Sequence, residues 1–336
     1  MPMSLYRSII RQSFVVAWKH KYLWFFGLFA TLLASNFEIG LVNRFLNRGG
    51  GTIYDWKRWA DTGIFSFRAW YNLIDLAKTD TWSFISLLVV FIVLAILLLA
   101  LLWLSVTSQG ALVNNAQKAL AEGNKVLSVA ERKHDTSVGF KQGRKSFWPV
   151  LGVNVLVRVV AYVLALVTLI PIFNAATIGI TLAIIYFVFF VVLLVIALIL
   201  AFITKYAVAF IVLKGQTMGQ SITSAWKLFK NNWLVSLEMT FILFAISILF
   251  SLCLILAVMI VAIPITLLYV VGLLFGSFPV FFAILILGVV ISLAIIIIGG
   301  AFLTVVQTTA WVQLFASLTS GKAPESKLER VFKDVM

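Results

Sequence analysis

Three stretches of the chain contain no Asp, Glu, Lys or Arg: residues 81–117, 159–204 and 239–321. Nothing else in the sequence restricts its fold as much. The last stretch has 83 residues, roughly 125 Å of helix at about 1.5 Å per residue. About 20 apolar residues already cross a bilayer, so this stretch must fold back on itself. Composition agrees: 62% of the 336 residues are hydrophobic and 11% are charged, against roughly 45–50% and 25% in soluble proteins. So few charges could not cover the surface of soluble domains, and the chain reads as an integral membrane protein. The apolar excess excludes intrinsic disorder. A single cysteine, Cys253, excludes a disulfide scaffold.

Chain reversals need turn residues at the water boundary. Pro171-Ile-Phe-Asn174 divides the middle run, and Pro264 and Pro279 bracket an ambiguous piece, 264–278, in the last. The expected spans are 22–40, 83–107, 149–171, 177–204, 233–263 and 279–305. The expected fold is therefore all-α, a bundle of six transmembrane helices. The basic N-terminus followed by the apolar 22–34 mimics a signal peptide, but no clear small-x-small cleavage site follows. A retained first span is expected.

Orientation follows the distribution of Lys and Arg. The segments before 22, at 108–148, at 205–232 and after 321 hold 19 of the 26 basic residues. Both termini are thus expected in the cytoplasm, with anionic headgroups of a plasma membrane attracting the +14 net charge. The bases sit at span ends rather than on one soluble basic face, so nucleic acid is not an expected partner.

A K-x-x-W motif opens the first, third and fifth spans and occurs nowhere else: Lys21…Trp24, Lys145…Trp148 and Lys230…Trp233. Ala17-Trp18-Lys19 and Ala225-Trp226-Lys227 echo one another before it. Each returning span runs on and stops at a glycine, Gly123, Gly215 or Gly321, a common residue just past a helix end. The expected organisation is a single membrane domain, 1–336, built as three parallel hairpin units of about 8–123, 137–215 and 221–321. Interface anchoring alone also places Trp and Lys at these points. In the third lead-in, Ile222, Ala225, Trp226, Phe229 and Trp233 share one helical face. Such a face lies on a membrane surface or packs on a neighbouring hairpin, and the pattern does not separate the two.

The stretch from Ala111 through Phe244, with its SVGFKQGRKSFWPVLG and SITSAWKLFKNNWL segments, resembles the membrane domain attached to some glycerophosphoryl diester phosphodiesterases. The opening WKHKYLWFFGLFA resembles free-standing bacterial forms of that domain. The resemblance implies a six-helix bundle with cytoplasmic termini. It does not imply phosphodiesterase activity, which in those enzymes resides in a separate soluble barrel.

Catalytic patterns are absent from the sequence. The two histidines, His20 and His134, lie far apart, giving no metal spacing, and no phosphate-binding glycine motif or activated serine is recognisable. No cofactor is expected. The loop 41–82 is expected outside, lying on the bilayer through Trp56, Trp59, Trp70 and Trp82, with its aspartates ion-paired and solvated. The tail 322–336 is expected inside. Cys253 is expected to be a small packing residue. Two ionisable residues, Arg158 and Glu238, fall inside expected spans, where charge is costly. They are expected to form an intramembrane ion pair between the second and third hairpins. The functional expectation is a non-catalytic membrane component organising lipid or a membrane-protein partner. The alternatives are a transporter or channel with a path near Arg158 and Glu238, and, as the weakest, a membrane-embedded lipid enzyme.

Overall fold

The computed structural model describes residues 5–31, 66–122, 129–173, 180–274 and 278–320, and all its elements are helices. In chain order they are α1 (Leu5–Lys19), α2 (Leu23–Thr31), α3 (Phe67–Thr79), α4 (Thr81–Glu122), α5 (Val129–Lys145), α6 (Phe147–Phe173), α7 (Ile180–Lys214), α8 (Met218–Asn231), α9 (Trp233–Leu274) and α10 (Phe278–Thr319). Four of them are long and apolar enough to cross a membrane, and the bent pair α5–α6 raises that to five. The helical membrane class is therefore as expected. Part of the expected first span, 32–40, lies outside the described residues, as do most of the 41–82 loop, Gly123, Gly321 and the tail.

The helices form two compact units. One contains residues 1–34, 105–153 and 202–336; the other contains 35–104 and 154–201. In the first unit, α10 packs along α9, α2 and α1. The antiparallel α9–α10 hairpin keeps one register over a long stretch. Gln307 Nε2 donates to Ser247 Oγ at 2.8 Å, Gly299 lies against Leu254, and Gly288 lies against Ile265.

Pro264 does not end a helix. It lies inside α9, which continues to Leu274, and the start of the ambiguous piece prolongs the fifth expected span. A proline within a membrane helix is tolerated because neighbouring groups satisfy the freed carbonyl. Helix α7 does end at its glycine. Gly215 adopts φ 65°, and the amides of Gly215 and Gln216 donate to Ile211 and Phe210 at 3.0 and 3.4 Å, closing the last turn.

In the second unit, part of the 41–82 segment is the amphipathic helix α3, which exposes Trp70, Tyr71 and Ile74. Ser66 caps its start, accepting from Ala69 N at 3.1 Å. Asp80 then caps α4, accepting from Ser83 N at 3.2 Å and Ser83 Oγ at 2.6 Å. The Ser83 hydroxyl, then the Ser83 amide, holds this carboxyl below its ordinary value. Asp80 thus has a capping role that the ion-paired reading did not include. Cys253 also departs from expectation: it is exposed on α9 instead of packed within the protein.

Candidate functional site

All three K-x-x-W motifs straddle a break between two helices. At the first, Leu23 N donates to His20 O at 2.9 Å and Trp24 N to Lys21 O at 3.0 Å. At the second, Ser146 Oγ bonds back to Gln142 O at 3.0 Å, and the chain bends by 60°. At the third, Asn232 Nδ2 bonds back to Leu228 O at 3.1 Å. The Asn232 side chain supplies a donor to a carbonyl at a helix end, whereas Gln142 O also accepts from Ser146 N at 3.1 Å.

Lys21, Lys145 and Lys230 are all exposed, but the three tryptophans differ. Trp148 and Trp233 are 76% and 54% exposed. Trp24 is half-buried; its Nε1 donates to Ala17 O at 2.7 Å, and its ring stands edge-on to Phe302 at 5.6 Å. The preceding Trp18 and Trp226 are exposed. Helix α8 buries part of its apolar face and exposes the rest. Ala225 and Phe229 are buried, Phe229 stacks on Phe202 at 5.2 Å, and Trp226 and Trp233 face outward.

The second halves of α4, α7 and α10 pack on helices that lead into a K-x-x-W break. α4 packs on α5, where a Cβ on Gly143 would lie 2.2 Å from Thr107 O. α7 packs on α8 through Phe202 and Phe229. α10 closes the set on α1 and α2, with Phe302 6.0 Å from Phe14 and 6.2 Å from Trp18. Thr304 Oγ1 shares a hydrogen bond with Thr31 Oγ1 at 2.8 Å, and Gln313 Nε2 donates to Gln12 Oε1. The last long helix thereby meets the first lead-in.

Of the two expected intramembrane charges, Glu238 belongs to the first unit and Arg158 to the second. Glu238 accepts a hydrogen bond from Tyr6 Oη of α1, a partner that the sequence reading did not identify. Burial, and secondarily the carboxylate of Glu238, raises the Tyr6 phenol well above its ordinary value. Asn154, one turn before Arg158, is buried, whereas Tyr162, one turn after it, is 62% exposed.

A cavity of ≈ 150 Å³ lies among α4, α7 and α10, and its polar lining comes from Gln109, Lys205, Tyr206, Thr304, Gln307 and Thr308. The sequence reading assigned Lys205 to a segment beyond the fourth span. Helix α7 runs on past that span to Lys214, as its glycine stop implied, which leaves Lys205 within it. A tetrapeptide could have marked this place: Ala201-Phe-Ile-Thr204 recurs as Ala301-Phe-Leu-Thr304, with Leu102-Trp-Leu-Ser105 as a looser third copy. Comparison with protein-family models, curated proteins and solved structures finds no match.

Proposed function

We propose that the protein is a non-catalytic component of the plasma membrane that organises anionic lipid at its cytoplasmic face. The observation carrying this reading is the exposure of Trp18, Trp148, Trp226 and Trp233 at the helix breaks, each beside exposed lysines. An indole at the headgroup level with an adjacent ammonium group attracts anionic lipid through apolar burial and charge together. The topology is six spans in three parallel hairpins with both termini inside. The recurrence of lead-in helix, K-x-x-W break and following helix supports it, as does the packing of α4, α7 and α10 on lead-in helices. The resemblance to the membrane domain associated with glycerophosphoryl diester phosphodiesterases is consistent with this arrangement.

The test is native mass spectrometry of lipids retained by the full chain from mixed phosphatidylglycerol and phosphatidylcholine bilayers. Preferential retention of phosphatidylglycerol is expected. Replacing Lys21, Lys145 and Lys230 together by glutamine should weaken that preference by roughly 1 kcal/mol per charge removed. Equal retention of the two lipids by the native chain would overturn the proposal, as would solute flux through reconstituted vesicles.

A further inference from the structure

The shared tetrapeptides set a common register for α4, α7 and α10. In that register Ser105, Thr204 and Thr304 correspond, as do Gln109, Val208 and Thr308, and Val113, Val212 and Val312. Gln109, Val208, Thr308, Val113 and Val312 all line the cavity described above. The cavity thus forms where equivalent faces of the three long helices meet. Lys205 breaks the pattern. Its counterparts are Val106 and Val305, and both are fully buried. The lysine is exposed, and its ammonium group stands 4.6 Å from the ring of Trp311, within cation–π range.

Three other residues of the wall are bonded to groups outside the cavity. Tyr206 Oη shares a hydrogen bond with Ser236 Oγ at 2.7 Å, Gln307 is tied to Ser247 at 2.8 Å, and Thr304 to Thr31 at 2.8 Å. Groups fixed in this way lose little freedom when a ligand arrives. The lining contains one cation, two amides and several hydroxyls, but no carboxylate. That set disfavours a metal ion or organic cation and suits a compact anion rich in oxygen. The volume, ≈ 150 Å³, is well below the roughly 300–1,000 Å³ of pockets for drug-sized ligands, so only a few heavy atoms fit.

We propose that this cavity binds a phosphate group, either the headgroup phosphate of an anionic lipid or free inorganic phosphate. Lys205 supplies the charge, and Gln109 and Thr308 supply neutral hydrogen bonds. The site is separate from the lysines at the helix breaks and does not depend on their role.

The test uses the full chain, purified and delipidated in mild detergent. Thermal stabilisation by inorganic phosphate is compared with chloride at equal ionic strength, and phosphatidylglycerol binding is measured by native mass spectrometry. Stabilisation by inorganic phosphate identifies the free ion as a ligand; binding of phosphatidylglycerol alone identifies the lipid. Either ligand should bind at least roughly tenfold more weakly to Lys205→Met, since a hydrogen bond to a charged group is lost, while Lys205→Arg retains most of the affinity. Thr308→Val carries the test if Lys205→Met does not fold, and should weaken binding severalfold. Glutamine at Lys21, Lys145 and Lys230 should leave this binding intact even where bulk lipid preference is lost. The proposal is overturned if neither ligand binds the native chain. It is equally overturned if folded Lys205→Met, or folded Thr308→Val where the former fails to fold, binds like the native protein.

Discussion

Replacing Gly143 by alanine tests whether close backbone approach holds α5 against α4. An added Cβ would lie 2.2 Å from Thr107 O and 3.0 Å from Ala111 N. Both neighbours are backbone atoms of α4, so no side chain can swing aside. Ordinary contact begins near 3.4 Å, so the helices must separate by about 1.2 Å at this point, and other contacts between them would loosen. Overpacking of this kind costs about 1–3 kcal/mol. Gly300→Ala is the control: it lies within α10, and nothing is within 4 Å of its added Cβ. With space open, alanine should stabilise by about 0.5–1 kcal/mol through the smaller conformational freedom of the unfolded chain. Thermal unfolding of both variants in one detergent, followed by tryptophan fluorescence, gives the comparison. Gly143→Ala melting with the native protein, or Gly300→Ala losing as much as Gly143→Ala, would refute the reasoning.

Three further outcomes are expected. The raised Tyr6 phenol stabilises the fold fully below the ordinary phenol value of 10.0, and that stabilisation declines as pH rises above it; alkaline melting curves should therefore fall more steeply for the native chain than for Tyr6→Phe. Gly215→Ala places an alanine at φ 65° with open space around it, so it should cost about 1–2 kcal/mol from conformation alone, and Gly215→Asn less, as denaturant titration would show. In single-tryptophan variants, brominated lipid should quench Trp148 and Trp233 more strongly than Trp24, because Trp24 is bonded to Ala17 and packed on Phe302.

Local signals in the sequence were the most legible. A lysine and a tryptophan three residues apart, with polar residues between or before them, marked all three helix breaks, since the groups that cap helix ends lie within a turn of the break itself. Gly215 marked the end of α7 because only a residue without a Cβ adopts a positive φ at no cost. Pro264 misled for the opposite reason. Proline disrupts a helix in water, but ending the helix within an apolar run would leave still more backbone groups without partners, and α9 continues through it.

Charge-free runs by themselves determined that the chain is a helical membrane protein, because a backbone in hydrocarbon must satisfy its own hydrogen bonds. They did not determine which part of each helix faces protein. In a soluble bundle the buried face is apolar and the other polar, but here Val106 is fully buried and Val90 is 63% exposed, although both are valines on α4. Lipid and protein interior are equally apolar, so hydrophobic periodicity has little to distinguish. Shape decided the packing instead, through a missing Cβ at Gly143 and the ring of Phe202 on Phe229. The tertiary structure alone decided that Lys205, which reads in the sequence as one more base at a span end, stands at a cavity between three helices. Only the meeting of α4, α7 and α10 brings Gln109 and Thr308 to the same cavity wall.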